Sequence, residues 1–366
     1  MYKKKLLLIL TSFIFSYCIL VFFNNIDNSK NNNPALGDQN QESFAKYNNH
    51  PIHCQDVSNL GVCIETIKKF DLKKNILWLG NSQLHAINQK KKYDKNASEL
   101  LFEKLINKNY FLLTLSQPNA NLQEHYILYE YINNLINIDI LVLPIVFDDL
   151  RETNLRRGSA EILDFEIIKE KITKTEIGKK IINKNLSTNN SENLSLSHST
   201  PQDISENFLN KNLSKISQVW NNRNELRVKF IRFLRNTRNS VFGINPQSIR
   251  KVIPQRYVDN IQALKAIIES TEKNKIKLLI YIPPIRNDVK NPYDINEYNN
   301  FKFHLSELTL KNSSILVNFE NIVPAKFWGF KNSSELKELD FMHFKQSGHR
   351  ILSEKLFRQL KNNFIE

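Results

Sequence analysis

Five short runs of almost unbroken hydrophobicity recur along the chain: "NILWL" (75–79), "YFLLTL" (110–115), "DILVLPIV" (139–146), "IKLLIYI" (276–282) and "SILVNF" (314–319). A strand with one face in water alternates apolar and polar residues, so runs without alternation predict strands covered on both faces. Helical patterns fall between or after them, over about 96–107, 121–136, 256–273, 295–310 and 345–362. Strand and helix in alternation predict a five-stranded, parallel, doubly wound sheet in an α/β three-layer sandwich. Ligands of such sheets bind beyond the carboxyl ends of the strands.

An insertion over 151–255 separates the third and fourth runs. Its centre, "NLSTNNSENLSLSHSTPQDISEN", is too poor in apolar residues to pack and reads as a mobile loop. The stretch "ISQVWNNRNELRVKFIRFLRNTR" (216–238) predicts a basic amphipathic helix. Val219, Trp220, Phe230, Phe233 and Leu234 form its stripe, ringed by Arg223, Arg227, Arg232, Arg235 and Arg238. Either it packs on the main domain with a solvated basic side, or it caps the site and meets headgroups or an anionic polymer. The net charge of +14 comes mostly from scattered lysines, and no nucleic-acid-binding module is visible, so nucleic acid is not an expected partner.

At the N-terminus Lys3, Lys4 and Lys5 precede an uncharged run over residues 6–23. Its 18 residues would span about 27 Å as a helix, enough for a hydrocarbon core. The lysines stay cytoplasmic, which places the bulk of the chain on the extracytoplasmic side. The only small-x-small candidate, Ser16 to Cys18, lies inside the apolar run, so the segment reads as an uncleaved anchor rather than a cleaved signal. Residues 24–48 read as a polar tether. The entry segment that follows, to residue 71, contains "HCQDVSNLGVC", whose Cys54 and Cys63 are expected to form a disulfide in an exported chain. No second Cys/His pair lies nearby, and neither a metal nor a cofactor is expected.

Two stretches carry chemistry. In "LWLGNSQLHAINQ" (77–89) the first strand runs into Gly80, Asn81 and Ser82, so Ser82 is a nucleophile on a sharp turn or a helix cap. In "ELDFMHFKQSGHRILSEKLF" (338–357), Asp340 and His343 stand in a loop before a closing helix marked by Leu352, Leu356 and Leu360. A serine nucleophile needs an imidazole to take its proton and a carboxylate to fix that imidazole. Asp340 and His343 supply both, which favours the catalytic reading of Ser82.

These blocks, Gly80-Asn81-Ser82 after the first strand and Asp340-Phe341-Met342-His343 before the last helix, resemble those of the SGNH (GDSL-like) hydrolase superfamily. The resemblance covers residue 72 to the end, apart from the insertion. It implies Ser82 as nucleophile, His343 as general base and Asp340 as its orienter. Asn81 replaces the usual aspartate of the first block. The second block, "LSQPNANLQEH" (115–125), lacks the family's glycine, leaving Ser82, Ser116, Asn119 and Asn121 as candidate oxyanion donors. The third, "PIVFDDLRE" (144–152), offers Asp148 and Asp149 where the family has an asparagine. The chain is also similar in architecture to exported alginate-acetylation and teichoic acid D-alanine-transfer proteins. That similarity implies an O-acyltransferase or esterase that modifies a cell-surface glycan through a seryl ester, beside a membrane-bound O-acyltransferase. The alternative is an inactive subunit that uses the cleft to bind glycan or dock that partner.

Other residues past strand ends remain open. Asp148, Asp149 and Arg151 contact substrate or form an ion pair within their loop; Arg286 holds an anionic group or is structural. Trp328 stacks on a sugar or belongs to the core. His85 faces Ser82 or is a supporting histidine, and His125 and His304 are structural.

Overall fold

The computed structural model describes residues 11–12, 14–19, 21–22, 39–70, 72–192, 208, 211–213, 217–243, 248–331 and 338–365. Nearly half of the expected anchor, the start of the tether and residues 193–207 of the low-complexity stretch lie outside them. Among the described residues no helix is long and apolar enough to cross a membrane.

The central sheet has six strands: β1 (His53–Cys54), β2 (Lys74–Gly80), β3 (Tyr110–Ser116), β4 (Ile140–Pro144), β5 (Lys277–Ile282) and β6 (Ile315–Asn318). They lie in the order β6–β5–β4–β2–β3–β1, and every neighbouring pair is parallel. Five are the apolar runs of the sequence. The sixth, β1, corrects the five-stranded expectation. Two residues are too short for a hydrophobic pattern, yet His53 and Cys54 pair with Thr114 and Leu115 at the sheet edge. The Ile52 carbonyl extends the pairing by accepting from Thr114 N at 2.9 Å. A disulfide from Cys54 to Cys63 ties β1 to the helix Leu60–Lys69.

The sheet is apolar because it is covered. Trp78, Leu112, Val142 and Ile280 are all fully buried, and each such side chain contributes roughly 1.5–3 kcal/mol. Trp78 also needs a partner for its indole N–H, which it donates to Tyr281 Oη at 3.2 Å across the sheet. The covering helices start at polar residues that satisfy their free N–H groups: Asn96 before Ala97–Leu105, Asn121 before Leu122–Leu135 and Asp294 before Ile295–Leu310. Pro254–Lys273 and Gln346–Asn363 complete the set.

Strand order fixes where a ligand can sit. From β2 the chain moves outward to β3, then returns to the other side of β2 as β4. The connections leaving β2 and β4 diverge and open a crevice at their carboxyl ends. Ser82 follows β2 at that point.

The sheet belongs to a compact unit of residues 35–186 and 246–366. The domain therefore begins well before residue 72, since the entry segment supplies β1 and the strand Asn40–Glu42. The insertion is also narrower than 151–255: helices Arg157–Ile162 and Glu166–Ile172 bury Ile162, Ile168 and Ile172 in the core. A second unit takes residues 1–34 and 187–245. It contains the expected basic helix, at Arg223–Val241, whose Phe233 and Leu234 are exposed rather than forming a buried stripe.

The Cys54–Cys63 bridge spans nine positions of sequence, so loss of its chain-entropy contribution should cost about 2–3 kcal/mol. The Cys54→Ser/Cys63→Ser protein should show that loss in a guanidinium titration followed by tryptophan fluorescence, and the parent should show it on reduction.

Candidate active site

β2 ends at Gly80, and Ser82–His85 form a single helical turn behind it. The cap of that turn is Asn81, not Ser82. Asn81 is extended (φ −118°) and its Oδ1 accepts from Gln83 N at 3.1 Å. Its Nδ2 donates to the buried Asp149 at 3.3 Å. The Ser82 hydroxyl is thereby released from capping and meets His343 Nε2 at 3.0 Å. Gln83 fixes the turn against its surroundings, donating from Nε2 to the carbonyls of Pro284 and Met342, both at 2.8 Å. The second of those lies beside His343, so Gln83 sets the spacing between the two blocks.

Asp340 and His343 lie on a strand, Glu338–Phe344, rather than in the expected loop. The strand pairs antiparallel with Trp328–Lys331 and its register shifts between Trp328 and Phe330. Regular pleating would send residues three apart to opposite faces. Asp340 breaks the pleat by accepting from Met342 N (2.9 Å) and His343 N (3.0 Å) on Oδ1, which turns both functional side chains together. Its Oδ2 meets His343 Nδ1 at 3.1 Å. A carboxylate only accepts, so Nδ1 carries the proton and Nε2 is left as the base facing Ser82. Burial works to raise the Asp340 carboxyl; His343, Lys331 and the Asn40 amide outweigh it and hold the group well below the usual carboxylate range. Asp340 is thus ionised, His343 is oriented, and the Ser82 proton has a taker. The three side chains are buried, with Ser82 the most open at 8%.

Sequence reasoning missed the amides behind Asp340. Asn40 Nδ2 donates to Asp340 Oδ2 at 2.8 Å, and Asn88 Nδ2 donates to Asn40 Oδ1 at 2.8 Å. Asn88 in turn brackets the Phe330 backbone, donating to its carbonyl (2.8 Å) and accepting from its N–H (3.2 Å). Such closeness demands glycine at 329, where a Cβ would stand 1.6 Å from Asn88 Oδ1.

The oxyanion candidates divide. Ser116 is fully buried and its hydroxyl is committed: it joins His53 Nε2 at 2.6 Å and His85 Nδ1 at 2.7 Å. Asn96 donates to His53 Nδ1 (3.3 Å), so His53 carries its proton on Nε2 and donates to Ser116. Asn121 is spent on capping Glu124 N and on the Asn154 carbonyl. Asn119 is exposed, left-handed at φ 53°, and its side chain has no hydrogen bond among the described residues. The Ser82 N–H, first in its turn, is likewise unpaired among them.

The charged candidates are tied up. Asp148 pairs with Arg151 at 3.0 Å, with Arg250, and with Tyr293 Oη at 3.2 Å, so the structure places both residues in ion pairs around this loop. Asp149 is buried; burial, reinforced by Asp148, pushes its carboxyl well above the usual range. Arg286 is a structural arginine, bidentate to Asp288 (2.6 and 3.0 Å) and donating to the Gly329 carbonyl at 2.8 Å. Trp328 is a core residue whose indole donates to Val323 O at 3.0 Å. His85 is a buried supporting histidine stacked on Phe44, His125 is buried, and His304 meets Tyr257 Oη at 2.8 Å. Among the described residues no cluster of three or more His, Cys, Asp and Glu is arranged to hold a metal ion.

No protein-family model and no curated protein matches the chain. Solved structures of low overall likeness include an acetylxylan esterase from Geobacillus stearothermophilus, 7% identical with a TM-score of 0.40, covering 81% of this chain and 99% of that one. Another is an active-site mutant of a family two carbohydrate esterase from Clostridium thermocellum, 8% identical with a TM-score of 0.38, covering 80% of this chain and 64% of that one. At such scores neither bears on function, which rests on the residues above.

The buried histidines make stability depend on pH. Burial, helped by neighbouring histidines, lowers His85 to about 3 and His53 well below the usual imidazole range. Burial likewise lowers His349 to about 3, against the bond to Ala86. Unfolded histidines take a proton near pH 6.5 and these folded ones do not, so each costs up to about 1.4 kcal/mol per pH unit as pH falls below that value. The urea midpoint should drop between pH 7 and pH 5, and His85→Gln should flatten that slope by up to one proton.

Proposed function

We propose that this chain is a serine esterase or O-acyltransferase of SGNH type that carries its acyl group as an ester on Ser82. The observation that carries the reading is the buried line from Asp340 through His343 to Ser82, with contacts of 3.1 and 3.0 Å, at the carboxyl end of β2. Ser82 Oγ attacks the acyl carbonyl while His343 Nε2 takes its proton. The tetrahedral intermediate collapses, the C–O bond to the leaving alcohol breaks, and that alcohol leaves with the proton from His343. An acceptor hydroxyl then gives its proton to His343 and attacks the acyl-Ser82 carbonyl, and Ser82 recovers the proton as it departs. The Ser82 N–H and the open Asn119 amide are the donors assigned to the oxyanion, and losing one such donor typically costs about 100- to 1000-fold.

The apolar run after three lysines and the Cys54–Cys63 bridge support a chain held at the membrane and working outside the cytoplasm. A cell-surface polysaccharide hydroxyl is the acceptor that fits such a place, with a membrane-bound O-acyltransferase as acyl donor. One observation favours the second reading, a binding or docking subunit. The loop after β4 offers Asp148, locked in ion pairs, where an amide donor would complete the oxyanion site.

The readings separate on a fluorophosphonate probe and an activated acetyl ester. The parent should be labelled on Ser82, Ser82→Ala should not react, and Asp340→Asn should slow turnover about 10⁴-fold by misorienting His343. Equal labelling of parent and Ser82→Ala would remove Ser82 from the chemistry. A folded parent inert to both reagents would leave the binding-subunit reading in its place.

A further inference from the structure

The strand Asn40–Glu42 precedes the central sheet and pairs antiparallel with Ala86–Asn88, the segment that follows the Ser82 turn. It brings one buried side chain to Asp340. We infer that Asn40 is a positioning residue for the Ser82 reaction, and that the segment ahead of the sheet is thereby part of the active site. The inference rests on the reading of Ser82 as nucleophile.

The hydrogen-bond chemistry fixes the direction of the whole chain of amides. The Phe330 carbonyl can only accept and its N–H can only donate, so Asn88 must turn Nδ2 to the one and Oδ1 to the other. The second proton of Asn88 Nδ2 then points at Asn40, which must present Oδ1. That leaves Asn40 Nδ2 toward the carboxylate, at 2.8 Å. A flipped Asn40 would set its carbonyl oxygen against a carboxylate oxygen and lose both bonds. The orientation is therefore dictated from the backbone of residue 330, through two side chains, to the carboxylate.

The amide acts through Asp340 rather than on any reacting atom. Oδ1 is held by two backbone N–H groups, whereas Oδ2 is shared by His343 Nδ1 and Asn40. Remove Asn40 and Oδ2 keeps a single donor, inside a site with Asp340 only 1% exposed. A buried carboxylate short of a donor turns to recover one, and the turn misaligns the imidazole that Ser82 depends on. The Asn40 bond is also among the interactions that hold the Asp340 carboxyl ionised.

The test uses full-length Asn40→Ala and Asn40→Asp beside the parent and Ser82→Ala, with a fluorophosphonate and p-nitrophenyl acetate as probes. Asn40→Ala should lower kcat and the labelling rate together by about tenfold and leave KM within about twofold. Asn40→Asp keeps the shape and the acceptor for Asn88 but puts an acceptor against Asp340, so it should lose at least as much. A purely structural role predicts the opposite order, with the isosteric variant the milder. The low-field proton resonance of the His343 Nδ1–H bond should also move in either variant. A folded Asn40→Asp with parental kcat and labelling rate would overturn the inference. If the parent itself does not react, the Ser82 reading fails, and an unmoved His343 resonance then separately removes the role of Asn40.

Discussion

A buried carboxylate, Asp340, set among the polar side chains of Asn40 and His343, organises the candidate site. Asp340 is ionised at 1% exposure, which would be costly without compensation. Compensation comes from four donors: two backbone N–H groups, one imidazole and one amide. The two backbone bonds distort the strand so that Asp340 and His343 face the same way. The side-chain bonds select the imidazole tautomer and draw in a strand from ahead of the sheet. Ser82, Asn81 and Gln83 are arranged to meet the result.

The sheet's part is to provide a rigid place for this assembly. Its topology reverses direction at β2, and the crevice so formed is where a short strand-to-helix turn can expose a side chain. Below that turn sits a run of neutral polar groups, Asn96 to His53 to Ser116 to His85, all buried. Their mutual bonds satisfy polar atoms that would otherwise be orphaned, and they leave the site with one buried carboxylate–imidazole pair rather than several competing charges.

Much of this was legible beforehand. The five long strands were readable because strands covered on both faces must be continuously apolar, and the helices between them because helical patterns fill the intervals. Ser82, Asp340 and His343 could be grouped beforehand because a serine nucleophile needs an imidazole and a carboxylate, and the fold does bring these three side chains into contact. The edge strand β1 was not, since two residues carry no period and only the disulfide hints that they are held. Asn40 was hidden by its setting: an asparagine in an asparagine-rich stretch has no local mark, and its role exists only through Asp340, far along the chain. The partners of Ser116, Asp148 and Arg286 were hidden for the same reason, because His53, Arg250 and the Gly329 carbonyl come from remote segments.

The remoteness of these partners has a temporal side. Asn40 and Asp340 are 300 residues apart, and Ser82 and His343 are 261 apart. Ribosomes add about 5–20 residues per second, so roughly 15–60 s pass between the emergence of Asn40 and that of its carboxylate partner. Until then the nascent chain holds Asn40 without Asp340 and, once it is made, Ser82 without His343. The line from Asp340 through His343 to Ser82 is therefore completed only when almost the whole chain has been made, with the closing helix Gln346–Asn363 still to come.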